Sequence, residues 1–156
     1  MPRGGAVKRR ETAPDYRFGS TVVTKLINQV MHRGQKETAR KIVYTALDKA
    51  AETLGADPLL VLTQAITNVT PAQEVRSRRV GGATYQIPAP VRADRGQALA
   101  IRWIVNAARS KKGSPFAERL AEEFIAAYNN EGAAVKKKEE VHRIAEANRA
   151  FAHFRW

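Results

Sequence analysis

The sequence predicts a mainly α-helical single domain of six helices, with one protruding β-hairpin between the third and fourth. Three observations predict this. Apolar residues recur at three- and four-residue spacing in six separate stretches. One segment, residues 74–88, instead reads as two strands around Gly81-Gly82. The chain has 156 residues, 44% of them hydrophobic, enough for one buried core, and it shows no internal repeat or long low-complexity linker. The expected organisation is a basic arm over 1–18, a helical domain over 19–150 that carries the hairpin, and an aromatic, basic tail over 151–156.

The arm contains Arg3, Lys8, Arg9, Arg10 and Arg17 with glycines and prolines and no helical apolar period. It reads as a segment that is disordered when free and orders on a partner. Ser20 is placed to cap a first helix in which Val22, Val23, Leu26, Ile27, Val30 and Met31 form the stripe, with Gly34 as its end. A second helix, about 36–53, aligns Ala39, Ile42, Val43, Ala46, Leu47 and Ala50 ahead of Gly55. Asp57-Pro58 opens the third, since Asp caps well and Pro fits the first helical turn; Leu59, Leu62, Ala65, Ile66 and Val69 line it up to Pro71.

In the hairpin, a two-residue type I′ turn at Gly81-Gly82 pairs Val80 with Ala83, Arg78 with Tyr85 and Arg76 with Ile87. Arginines and a tyrosine then share one face, while Ser77, Arg79, Thr84 and Gln86 occupy the other. Neither face offers continuous apolar surface, so the ribbon is expected to project into solvent. At about 3.3 Å per residue it forms an arm of roughly 23 Å, marginal by itself and suited to a partner that offers phosphates and bases. A solvated hairpin with no partner is the plainer alternative.

Pro88 and Pro90 are read as breaks before a fourth helix, about 92–109, that buries Leu99, Trp103, Ile104 and Ala107. Trp103 fits that apolar period, and a base-stacking platform is its other reading. Ser114-Pro115 starts a fifth helix with Phe116, Leu120, Phe124, Ile125 and Tyr128 as its stripe. The sixth, about 135–150, is polar apart from Val141, Ile144 and Ala145. In the tail, Phe151, Phe154 and Trp156 alternate with His153 and Arg155, a pattern suited either to stacking on bases or to docking on the core.

Charge narrows the function. Twenty-seven Lys and Arg face 15 Asp and Glu, a net charge of +12, which points to a polyanionic partner, nucleic acid ahead of an anionic membrane. No apolar run is long enough for a transmembrane span, and the start Met1-Pro2-Arg3-Gly4-Gly5 has no signal-peptide core, so a cytoplasmic protein is expected. The chain has no cysteine, which removes disulfides and thiolate chemistry. Between residues 76 and 112 stand Arg76, Arg78, Arg79, Arg92, Arg95, Arg102, Arg109, Lys111 and Lys112 against the single acid Asp94. That imbalance marks a footprint across ribbon and fourth helix, where Arg92, Arg95, Arg102 and Arg109 recur near one another on a helix face. Lys136, Lys137 and Lys138 open the sixth helix, whose positive end favours phosphate; Glu139 and Glu140 beside them equally suit an ordinary solvated face.

Enzymatic readings are thin. Glu139-Glu140-Val141-His142 holds one Glu-x-x-His spacing where a di-iron bundle needs two, and no nucleophile elbow, zincin motif or phosphate-binding loop occurs. Neither cofactor nor metal is expected. The rival from another class is a DNA-binding regulator, which needs a symmetric dimer and an exposed recognition helix.

Val75-Arg76-Ser77-Arg78-Arg79-Val80-Gly81-Gly82 with Tyr85-Gln86 resembles the ribbon of the family of bacterial small-subunit ribosomal protein seven. The run Ala134-Val135-Lys136-Lys137-Lys138-Glu139, then Ala145-Glu146-Ala147-Asn148-Arg149-Ala150-Phe151-Ala152-His153 with Arg155-Trp156, resembles its C-terminal signature. Leu99 to Ala108, with Arg102-Trp103, fits too, and the similarity extends from about Phe18 to Trp156. One departure is Gln35, where the family usually has a lysine, which leaves Lys36 as the phosphate contact; residues 4–13 are also less basic than is common. The resemblance implies a primary binder of small-subunit rRNA that nucleates assembly of the subunit head, on a fold of six helices and a hairpin. Its rRNA contacts would run from the arm through Lys36, Arg76, Arg78, the fourth-helix cations and Lys136–Lys138. Arg79, Gly81, Gly82, Tyr85, Arg149, His153, Arg155 and Trp156 would lie near exit-site tRNA and the mRNA path. Small-subunit proteins nine and eleven are the implied protein partners, and some members repress their own operon's messenger.

Overall fold

The computed structural model describes residues 11–80 and 82–154. Arg3, Lys8, Arg9, Arg10, Gly81, Arg155 and Trp156 lie outside the described residues, as does the side chain of His153. The elements run α1 (Thr21–Val30), α2 (Lys36–Leu54), α3 (Pro58–Val69), β1 (Gln73–Val80), β2 (Ala83–Pro90), α4 (Ala93–Ser110), α5 (Phe116–Tyr128), α6 (Gly132–Ala147) and a 3-10 segment (Arg149–Phe154). The mainly helical class and the position of the hairpin are as the sequence predicts.

Local side chains cap two of the helix starts, those of α1 and α3. Ser20 accepts a hydrogen bond from the Val22 amide at 3.2 Å, and Asp57 accepts from Leu59 and Leu60 at 3.0 and 3.1 Å. Gly55 closes α2 in the left-handed conformation, φ 62°, that a glycine adopts without strain. Gly34 does not end α1 as expected. The helix stops at Val30, Met31 turns extended, and Gly34 (φ 77°) serves the connection to α2 instead.

Helix α5 is the centre of the core. It packs against α2, α3, α4 and α6, and Leu120, Phe124 and Ala127 on it are fully buried. The facing stripes are Val43, Ala46, Leu47 and Ala50 of α2, Val61, Leu62, Ala65 and Val69 of α3, and Ala100, Ile104 and Ala108 of α4. The α2 stripe, and the α3 stripe apart from Val61, are the period-3.6 faces read from the sequence. On α4 the face is rotated: Ile104 is shared with the predicted set, Ala100 and Ala108 take the central places, and Trp103 is only half-buried at the edge of the core.

The hairpin differs from expectation at its root. The register Val80–Ala83, Arg78–Tyr85 and Arg76–Ile87 is as predicted, but pairing continues to Gln73–Pro90, so Pro88 and Pro90 lie inside β2. A two-stranded ribbon tolerates proline where the missing N–H would face an open edge. Only the distal part is exposed. Glu74, Ile87 and Pro88 are buried, and both strands pack on α6. The solvent-projecting reading therefore holds for Arg76–Arg79 and Gly82–Thr84 and fails at the root.

Candidate nucleic-acid interface

Glu74 organises the root of the ribbon. Its side chain is 10% exposed; Oε1 accepts from Arg76 Nε at 2.8 Å and Nη2 at 2.6 Å, and Oε2 accepts from Arg95 Nε at 3.3 Å. Burial by itself would push the Glu74 carboxyl up, but the hydrogen bonds from Arg76 and Arg95 outweigh it and hold the group below its usual range. The 76–112 segment stops short of this acid, yet folding returns it to the middle of the cations. Beside it lies a cavity of about 290 Å³ with Ile87, Ala89 and Pro90 as an apolar floor and Arg76, Arg78, Arg92 and Arg95 around it. Arg92 also reaches Asp94 at 3.4 Å.

Along α4, Arg95, Arg102 and Arg109 stand seven residues apart and all are exposed, so the basic face forms. Its members differ in commitment. Arg109 Nη2 donates to the carbonyls of Gln29 and Val30 at 3.2 and 3.3 Å, covering the open end of α1. Lys111 lies 3.3 Å from both Glu122 and Glu123, whereas Lys112 is exposed. Trp103 is half-buried and lines a groove with Val75, Gln86, Leu99, Val141 and Ile144. That favours its packing role over a free platform.

Helix α6 begins three residues before the expected start, and the reason is a side chain distant in sequence. Glu123 of α5, 1% exposed, accepts the Ala134 amide on Oε1 at 2.9 Å, filling the positive helix end with a buried carboxylate. The site expected there for phosphate is thereby occupied. Lys138 turns inward to the Asn68 carbonyl at 2.6 Å, Lys137 pairs with Glu140 at 2.7 Å, and Lys136 stays exposed. The Glu140 carboxyl is held below its usual range by that hydrogen bond from Lys137.

The arm is shorter than the boundary at residue 18. Asp15, 6% exposed, accepts on Oδ2 from the amides of Arg17 and Phe18 at 3.1 and 3.2 Å and on Oδ1 from the Tyr44 hydroxyl at 2.7 Å. Arg17 closes a bidentate pair with Asp48 at 3.0 and 2.9 Å, which raises its own pKa. Residues 15–18 thus belong to the folded domain. Lys36, at the first turn of α2, is exposed beside them.

At the far end, Gly82 has φ 90°, as the second central position of a type I′ turn requires. Arg79 is exposed. Tyr85 packs on Phe151 of the 3-10 segment with ring centroids 5.1 Å apart, so that segment docks on β2. Arg149 is exposed and reaches Glu146 at 3.4 Å.

The sequence-predicted cations differ in how far the fold commits them. Arg76, Arg95, Arg109 and Lys138 tie elements together, Arg92, Lys111, Lys137 and Arg149 pair with acids, and among the described residues Lys36, Arg79, Arg102, Lys112 and Lys136 are exposed and bonded to no other side chain. Two carboxylates escape sequence reasoning: Glu74 reads as a strand boundary and Glu123 as one acid of an amphipathic helix, and nothing local signals the distant partner of either. Among the described residues no group of three or more His, Asp or Glu can hold a metal ion, and no helix is long and apolar enough to cross a membrane.

A helical body that carries a basic ribbon and a basic helix face is suited to contact with a polyanion. The family model described as ribosomal protein S7p/S5e matches residues 2–149, and the chain belongs to that family. It is 60% identical over 149 residues to small ribosomal subunit protein uS7 of Thermotoga neapolitana, covering 96% of each chain. It is 58% identical to that of Dictyoglomus turgidum and 54% identical to that of Symbiobacterium thermophilum, in both cases over 156 residues and the full length of both chains. The resemblance read from the ribbon and the C-terminal motifs is borne out, and the DNA-binding alternative gains no support.

Proposed function

We propose that this protein is a structural component of the small ribosomal subunit in the cytoplasm, a primary rRNA-binding protein that nucleates assembly of the subunit head. The observation that carries this is the set of exposed, uncommitted cations Lys36, Arg79, Arg102, Lys112 and Lys136 on a folded body, joined by the arginine rim of the ribbon cavity. The five exposed cations meet phosphates without breaking a bond to another side chain, and the rim arginines add their charge beside them, so folded rRNA is read mainly by backbone and shape. Arg3, Lys8, Arg9 and Arg10 extend the same contact along the arm. The distal ribbon with Arg79, Gly81, Gly82 and Tyr85, and the tail with Arg149, His153, Arg155 and Trp156, lie near exit-site tRNA and the mRNA path. Small-subunit proteins nine and eleven are the neighbours.

Titrating head-domain rRNA with the full chain over a range of salt tests this. Neutralising about six to ten phosphates gives a logarithmic slope of about −5 to −9, and duplex DNA at equal salt binds more weakly. A slope near −1 overturns the reading.

A further inference from the structure

We propose that Tyr16 is a stacking platform for an unpaired nucleobase of the bound RNA, a base contact set apart from the ribbon and α4; this rests on the rRNA-binding reading above. Tyr16 is 74% exposed, the most exposed large hydrophobic side chain among the described residues. It is not exposed through looseness. The Asp15 carboxylate gathers the Arg17 and Phe18 amides, the Gly19 amide returns to the Asp15 carbonyl at 2.8 Å, and the Arg17–Asp48 pair fastens the same turn to α2. The tyrosine is thus presented from a rigid base.

Its ring is also oriented. Tyr44 meets it edge-on at 6.0 Å and 79°, and the Arg40 guanidinium lies over the ring, 4.9 Å from its centroid. Arg40 is itself held by Glu37 at 2.5 Å and is 20% exposed, so it backs the ring rather than competing for solvent. With a cation on one face and so large an exposed fraction, the other face is open to a flat π system. Every base has one, and stacking on a pre-oriented ring loses little freedom.

The adjoining groove, about 650 Å³, has room for a base and mixed walls: Thr12, Thr24 and Asn28 offer hydrogen bonds, Ala13, Pro14 and Ile27 are apolar, Glu11 and Asp15 are acids, and the uncommitted Lys36 supplies a cation for phosphate. A base on Tyr16 leaves its phosphate on the Lys36 side. Lys8, Arg9 and Arg10 directly precede the groove-lining residues in the chain, and their charge adds to the attraction.

The test measures binding of the full chain to a head-domain rRNA transcript at several salt concentrations. Tyr16→Ala and Tyr16→Leu are expected to lower affinity by about 5- to 100-fold with an unchanged salt slope, while Tyr16→Phe stays within about twofold. Thermal unfolding of all three should match the wild type, since the ring is exposed. An alanine variant that binds like the wild type overturns the proposal, including the case in which Tyr16 serves a protein neighbour. A loss in Tyr16→Ala that Tyr16→Leu restores overturns it too, because bulk rather than a π face would then be at work. A wild-type chain with a slope near −1 instead fails the rRNA-binding reading itself, and the stacking proposal falls with it.

Discussion

Arg95 Nε donates to Glu74 Oε2 at 3.3 Å, joining the start of α4 to the root of the hairpin across 21 residues of sequence. The same carboxylate accepts from Nε and Nη2 of Arg76 on its other oxygen, so one buried acid sets the angle at which the ribbon leaves the body.

Glu74→Gln should therefore lower stability by about 1–2 kcal/mol at pH 7, measured by urea unfolding, because a neutral amide cannot satisfy two guanidinium groups. The pH dependence has a definite sign. The native carboxyl titrates below its ordinary value of 4.5, so its contribution is present above that pH and is lost as pH falls through the native value. The stability gap between wild type and variant should shrink steadily from pH 5 to pH 3; a constant gap would exclude the ion-pair explanation.

Removing the Glu123 side chain exposes a different dependence. Glu123→Ala leaves the Ala134 amide and the start of α6 without an acceptor and should cost about 2–3 kcal/mol, with Glu123→Gln costing less. Gly132 belongs to the same arrangement. At φ 91° an added Cβ would stand 3.0 Å from both Glu123 Oε1 and Ala126 Cβ, so Gly132→Ala should lose about 1–3 kcal/mol in chemical denaturation.

Tyr44 carries an alkaline signature. Burial first, then hydrogen bonding to Asp15, raises its hydroxyl well above the ordinary 10.0. The unfolded chain thus releases this proton before the native one, and stability falls as pH rises past about 10. Tyr44→Phe should cost about 1 kcal/mol at pH 7 and lose this slope, so the two unfolding curves converge between pH 9 and pH 11.

Reversing charge on the distal ribbon should separate binding from folding. Arg78→Glu with Arg79→Glu is expected to weaken rRNA or tRNA engagement at least tenfold while shifting the melting temperature by no more than about 2 °C, since both side chains are exposed. A large fall in melting temperature would place this part of the ribbon inside the fold.

Much of this protein is determined by sequence alone, because the signals are local. Ser20 and Asp57 cap the residues next to them, the apolar stripes of α2 and α3 mark the faces that α5 covers, and the paired glycines set the hairpin register. Local periodicity and turn chemistry need no knowledge of the rest of the chain. What each charge does is another matter. That Glu74 binds Arg95, that Glu123 rather than a neighbouring residue caps α6, that Arg109 closes α1 and that Tyr16 stands on Arg40 all depend on contacts between distant segments. A cation free to meet phosphate and one spent inside the fold look identical in sequence, and only tertiary packing, by fixing which carboxylate or carbonyl lies within about 3 Å, tells them apart.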